Sequence, residues 1–123
     1  MQTKRIVDGE LLIITDENDR HLLAIWEYVG ADETKIILNG DITLQVAHDF
    51  EDELTGLATV SNHIVIEFSG VNFISSAGLK TLLSIQQMLE KKKNTSLVLR
   101  AMNAQLMTIF QETGFADLFD IES

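Results

Sequence analysis

Apolar and polar residues alternate along this chain with two different periods, and the change of period divides it. In the first third, residues 10–14 (ELLII) and 21–28 (HLLAIWEY) are rich in Leu, Ile, Trp and Tyr, and the polar ENDR between them suits a turn. Residues 30–33, opened by Gly30, make a second turn before the strand-like run 35–38, which Gly40 and Asp41 end. The period then becomes helical. Val46, Ala47, Phe50, Leu54 and Leu57 form one stripe, while His48, Asp49, Glu51 and Asp52 face away. Thr43 or Asp41 is expected to cap this helix.

HIVIEF, residues 63–68, is a continuous apolar run with β-branched members, which suits a strand covered on both faces. A second helix is expected to start at Ser76 or Ala77 and to run to about Lys92, with Leu79, Leu82, Leu83 and Leu89 inward. Lys91, Lys92 and Lys93 fall in its last turn, at the negative end of the helix dipole. Residues 96–99 read as a short strand, and Asn103 as the cap of a third helix with Leu106, Met107, Ile109 and Phe110 on its apolar face. Gly114 stops that helix, and residues 119–121 form a last short strand. A β-rich start followed by β-α alternation predicts an α/β sheet covered by helices. The chain has no proline, so helix ends rest on glycine and polar caps.

At 123 residues, with no linker, repeat or low-complexity tract, the chain reads as a single domain, and 46% apolar residues are ample for its core. No apolar run approaches the length of about 18 residues that a membrane span needs. The apolar stretch 11–14 is interrupted at once by TDEND, so it lacks a signal-peptide core, and a cytoplasmic location is expected. The absence of cysteine excludes disulfides, thiolate metal sites and a cysteine nucleophile. A net charge of −10 repels nucleic-acid phosphates and anionic lipid and favours a basic protein partner. His21, His48 and His63 lack ligand spacing and are expected at surface or edge positions on separate elements, so no metal or cofactor is expected. No Walker-type Gly-Lys-Ser/Thr is present. Trp26 reads as a core or sheet-face residue, and Glu51, Asp52 and Glu53 as a solvated helix face or a surface that meets a basic partner.

The stretch FISSAGLKTLL, residues 73–83, carries the candidate chemistry. A strand runs into a tight turn of small residues, which opens directly into the second helix. Ser76 stands where that helix is expected to begin, and a hydroxyl there accepts a bond from an unpaired N–H of the first turn. An exposed hydroxyl at a helix N-terminus is also where a phosphate is best tolerated. An N-cap and a phosphorylation switch are thus two compatible readings of Ser76. Gly78 suits a close backbone approach in the first helical turn. Met88 points nearly opposite the leucine stripe, either as an isolated exposed apolar residue or as part of a partner face.

IEFSGVNFISSAGLKTLL, residues 66–83, resembles the central signature of STAS domains, the fold of bacterial anti-sigma factor antagonists. That signature is an acidic residue, a hydrophobic residue and Ser-Gly-Val, then Phe-hydrophobic-Asp-Ser-Ser-Gly-Leu. ILNGDIT, residues 37–43, is similar to the family's strand and turn before the first helix, and FQETGFADLF, residues 110–119, to its C-terminal helix. The resemblance spans residues 35–122. It implies an α/β, STAS-like mixed β-sheet flanked by three α-helices, with residues 1–34 as an extra N-terminal β-hairpin or strand on the same sheet. Ser76 falls on the family's phosphorylatable serine, Ser75 on the preceding Asp (a second candidate hydroxyl), Ala77 on a small hydroxyl residue and Gly78 on the family's glycine.

The function implied is that of an anti-sigma factor antagonist in a partner-switching pathway. The unphosphorylated protein binds an anti-sigma factor that is itself a serine kinase, phosphorylation releases it, and a metal-dependent phosphatase restores it. Catalysis lies in the partners, so no catalytic residue and no cofactor are expected here. The implied docking face runs from Asp41, Thr43 and Leu44 across Ser75, Ala77 and Gly78 to the exposed side of the second helix at Met88. The alternative is a non-switching STAS scaffold or accessory subunit of a larger complex, signalling or transporter-associated.

Overall fold

Period-two alternation builds the sheet on which everything else rests, in a computed structural model that describes residues 2–122. Chain order is β1 (Lys4–Asp8), β2 (Leu11–Thr15), β3 (His21–Val29), β4 (Glu33–Asn39), a 3₁₀ turn (Leu44–Val46) leading into α1 (Ala47–Val60), and β5 (His63–Gly70). It continues with α2 (Ser76–Glu90), β6 (Ser96–Arg100), α3 (Ala104–Glu112), a second 3₁₀ turn (Phe115–Leu118) and β7 (Asp120–Ile121). The strands lie in one seven-stranded sheet in chain order. Short turns keep β1 to β4 antiparallel, and helical crossovers make β4 to β7 parallel. Mixed sheet and three helices agree with the α/β, STAS-like expectation.

One sheet face presents Leu12, Ile14, Leu23, Ile25, Ile36, Leu38, Ile64, Ile66, Phe68, Leu97 and Leu99, all buried. Against it lie Phe50 and Leu54 from α1, Leu79, Leu82 and Ile85 from α2, and Leu106 and Phe110 from α3. Burying each such side chain contributes roughly 1.5–3 kcal/mol. Phe68, Phe110 and Phe119 meet edge-on, with centroids 6.3 and 6.2 Å apart, and fix α3 to β5 and to the chain's end.

Among the described residues no helix lies on the other face, which corrects the expectation that β5 is covered on both sides. Trp26, Ile37 and Val98 stay half-buried there, and Glu67 joins Lys35 (3.3 Å) to Arg100 (4.0 Å), which also pairs with Glu122 (2.6 Å). Val65 is nevertheless buried, in one cross-strand row with Lys35 and Val98.

The N-terminal extension adds its strands to the same sheet, as expected; the residues of β1 are all exposed, so that strand has no alternation to reveal it in the sequence. It is held by pairing with β2 and by side chains that cross to α1, Arg5 to Glu53 and Thr3 to Asp49. With the covering of β5 as the first, three expectations are corrected. Second, α2 ends at Glu90, before the lysine run; Lys92 Nζ instead donates to the carbonyls of Ala58 (2.6 Å) and Ser61 (3.3 Å), at the C-terminal end of α1. Third, neither Thr43 nor Asp41 caps α1. The chain enters it through the 3₁₀ turn, where Thr43 makes no side-chain cap bond, and the Asp41 carboxylate is engaged elsewhere. Asn103 does cap α3, accepting from the Leu106 amide at 2.8 Å, and Gly114, at φ 79°, stands just past that helix.

Glu27 sits beyond Ile25 at the end of β3, with its Oε2 buried and unpartnered among the described residues. Burial, and then the neighbouring Glu53 carboxylate, push its carboxyl up to about 8, against the opposing charge of Arg5.

Candidate functional site

Two loops meet beyond the ends of the parallel strands: the one from β4 to α1 and the one from β5 to α2. Their meeting is built from main-chain bonds. The Gly40 amide donates to the Gly70 carbonyl (3.0 Å), Ile42 to Phe73 (2.9 Å), and Ser75 back to Ile42 (2.8 Å), so Ile42 and Ile74 form a parallel bridge. Asp41 locks the same junction, because its Oδ1 accepts from the amides of Asn72 (3.0 Å) and Phe73 (3.1 Å). From the other side Asn103 Nδ2 donates to Asn72 Oδ1 (2.6 Å) and to the Val71 carbonyl (3.3 Å). The loop that delivers α2 is therefore tied down at both flanks before the helix begins.

Ser75, and not Ser76, is the N-cap of α2. Its backbone is extended (φ −75°, ψ 165°), and its hydroxyl accepts from the Gly78 amide at 3.2 Å. The Leu79 amide takes the Ser75 carbonyl. This corrects the reading of Ser76 as the cap. Ser76 occupies the first helical position, exposed, with its hydroxyl free among the described residues. The amides of Ser76 and Ala77 are those of the first turn left without an intrahelical partner. Lys80, one turn further on, is exposed as well.

Gly78 is buried, and a Cβ there would lie 2.7 Å from Ile74 Cγ1 and 2.9 Å from Ile42 Cγ2. It shapes the junction from beneath and offers no surface. Ala77 is half-buried, Thr43 half-buried and Asp41 exposed. Leu44 is 77% exposed and Phe73 44% exposed, on the two loops that the Ile42–Ile74 bridge joins. Phe73 was absent from the expected docking residues; its exposure follows from the loop's path rather than from any pattern in the sequence. Met88 is not outward: it is half-buried and packs against the core, far along α2 from this junction. The histidines lie apart, on β3, α1 and β5, and among the described residues no cluster of three or more His, Cys, Asp or Glu is placed to hold a metal. No helix among them is long and apolar enough to cross a membrane.

A junction locked by main-chain bonds, two exposed apolar residues and an exposed serine hydroxyl at a helix start thus stand on an α/β sheet domain. Its family is fixed by sequence: residues 27–120 match the STAS family described as "Mlab, STAS domain", and the chain belongs to that family. Among solved structures it is similar to an anti-sigma factor antagonist from Mycobacterium paratuberculosis (TM-score 0.72, 20% identity, covering 87% of this chain and 88% of that one). It is also similar to a putative anti-sigma factor antagonist from Thermotoga maritima (TM-score 0.72, 17% identity, 80% and 86% covered). The Bacillus cell fate determinant SpoIIAA in its phosphorylated form gives a TM-score of 0.61 at 16% identity, with 80% and 91% covered. These likenesses establish the fold. No curated protein matches the sequence.

Proposed function

We propose that this chain is an anti-sigma factor antagonist, working in the cytoplasm, whose docking surface is switched by phosphorylation of Ser76. The observation that carries the reading is the division of labour between two adjacent serines. Ser75 caps α2, so the Ser76 hydroxyl is left exposed and unbonded among the described residues, at the junction of the two loops that carry exposed Leu44 and Phe73. A partner that covers the two apolar side chains also covers Ser76.

A phosphate on Ser76 adds about −1.5 to −2 charges at pH 7. Within the domain it meets the free amides of Ser76 and Ala77 and the positive end of the helix dipole, an interaction worth roughly 0.3–1 kcal/mol in its favour. The fold therefore tolerates the modification. At a closed protein interface the same charge is buried without a partner, at a cost of several kcal/mol, and each 1.4 kcal/mol is about tenfold in affinity. The modification is thus read by the partner and not by the fold. The anti-sigma factor acts as serine kinase, a metal-dependent phosphatase resets the site, and the chain's charge of −10 steers it toward a basic surface.

The test is phosphorylation of the purified domain by its anti-sigma factor kinase with ATP, followed by peptide mapping. One phosphate on Ser76 is expected, with no incorporation when the kinase is left out. Phosphate on Ser75 alone contradicts the reading, since that hydroxyl is the cap. Ser75 at the position that the family signature gives to Asp favours a second reading, a non-switching scaffold or accessory subunit in which Ser76 stays unmodified.

A further inference from the structure

The free edge of the sheet carries a pattern that the switch does not use. Among the described residues β1 pairs with β2 alone. The Gly9–Glu10 turn closes on the pair Asp8 and Leu11, and the Glu10 carbonyl accepts from the Glu27 amide of β3 at 2.8 Å. Even-numbered residues of β2 thus turn their main chain toward β3, and Leu11 and Ile13 turn theirs toward β1. It follows that Lys4, Ile6 and Asp8 bond to β2, while Arg5 and Val7 point their N–H and C=O groups outward, to no strand. Ile6 and Val7 are 45% and 73% exposed.

We propose that this edge pairs antiparallel with the β1 edge of a second copy of the chain, about a twofold axis at Ile6. Outward main-chain groups must face outward ones, so only registers centred on Arg5, Ile6 or Val7 are available. The register centred on Ile6 is the one that pairs all five residues of the strand. It sets Arg5 opposite Val7 of the second copy in hydrogen-bonded pairs, and Ile6 opposite Ile6. It also sets Lys4 opposite Asp8 of the second copy, twice over by symmetry, in the non-hydrogen-bonded positions where side chains come closest. The register centred on Arg5 stacks two arginines at the axis, and the one centred on Val7 faces Asp8 with Ile6.

Charged residues on an edge strand ordinarily block self-pairing. Here the two signs are spaced so that the twofold brings them together. The pair that Lys4 makes with Asp19 (3.1 Å) is largely exposed on both sides, and such a pair is weak enough to release the lysine. β1 is an outer strand of the sheet, whereas the junction at Ser76 follows the inner strands β4 and β5, so the two surfaces are separate.

The test is sedimentation velocity on the full chain over rising concentration at physiological ionic strength, with amide hydrogen exchange at the two ends of that range. A monomer–dimer equilibrium is expected, in which the amides of Arg5 and Val7 gain protection with concentration while that of Ile6 does not change. Lys4→Asp sets Asp against Asp at both symmetric contacts, and Asp8→Lys sets Lys against Lys. Each is expected to weaken the dimer about tenfold or more, and the double variant to restore it. Matched melting curves confirm that the variants fold. A chain that stays monomeric throughout overturns the proposal. So does a double variant no better than the singles, or a dimer in which Arg5 and Val7 remain unprotected.

Discussion

Gly78 and Gly56 are both helical glycines, and the same substitution at each should move stability in opposite directions. In α1, a Cβ on exposed Gly56 meets nothing within 4 Å, so Gly56→Ala removes only the backbone entropy cost of glycine in a helix interior. A gain of about 0.8–1 kcal/mol is expected. At Gly78 the added Cβ lies 2.7 Å from Ile74 Cγ1, 2.9 Å from Ile42 Cγ2 and 3.1 Å from Ile74 Cδ1. Both isoleucines are buried and β-branched, so they have no free rotamer into which to retreat. Overpacking of this kind costs about 1–3 kcal/mol, which exceeds the helix-propensity gain and leaves Gly78→Ala destabilised by about 1 kcal/mol. The gap of about 2 kcal/mol between the variants corresponds to roughly 6–10 °C in melting temperature for a domain of this size. Urea denaturation followed by circular dichroism measures it, with unchanged m-values showing that both remain two-state. Gly78→Ala as stable as Gly56→Ala would refute the argument, because it would mean that the Ile42–Ile74 bridge does not press on the helix start.

Other consequences are as direct. Glu27 has a folded-state pKa of about 8, above its ordinary 4.5, so between those values the native state holds more protons than the unfolded one. Stability from this group is therefore full below the ordinary pKa and declines as pH rises through about 8; Glu27→Gln should flatten that decline in urea midpoints measured from about pH 5 to about pH 9, and an unchanged slope speaks against it. Asp41→Ala should cost about 1 kcal/mol, speed exchange of the Asn72 and Phe73 amides and weaken partner binding; unaltered exchange at those amides counts against the tethering role. Lys92→Met leaves the Ala58 and Ser61 carbonyls without their donor and should lower the urea midpoint by about 1 kcal/mol, whereas no change would show that water replaces the ammonium.

What the sequence discloses and what it hides follow from the range of the forces involved. Strands β2 to β4, β6 and all three helices are legible because their burial is periodic, β5 because it is a continuous apolar run with β-branched members, and the Asn103 cap because it is local. β1 is hidden because a strand exposed on every residue has no apolar alternation. Asp41 looked like a local cap, yet its partners are the amides of Asn72 and Phe73, brought near only by the parallel pairing of β4 and β5. The choice between Ser75 and Ser76 as cap turns on one residue of helix phase, which composition does not resolve, and the geometry gives the cap to Ser75. Met88 misled for a different reason. α2 packs on α1 as well as on the sheet, burying Thr81 and Ile85 in addition to the leucines, so its covered arc is wider than one stripe. The exposure of Leu44 and Phe73 on the two joined loops needed the folded loops to be seen at all.

The central claim is that the Ser76 hydroxyl is a switch read by a partner and not by the fold. The most direct measurement is calorimetric titration of Ser76→Ala and Ser76→Asp into the anti-sigma factor, with thermal melts of both variants alongside. Both variants should melt close to the unmodified domain; Ser76→Ala should keep its affinity, and Ser76→Asp should lose tenfold or more, about 1.4 kcal/mol. Equal affinities for the two variants would contradict the account.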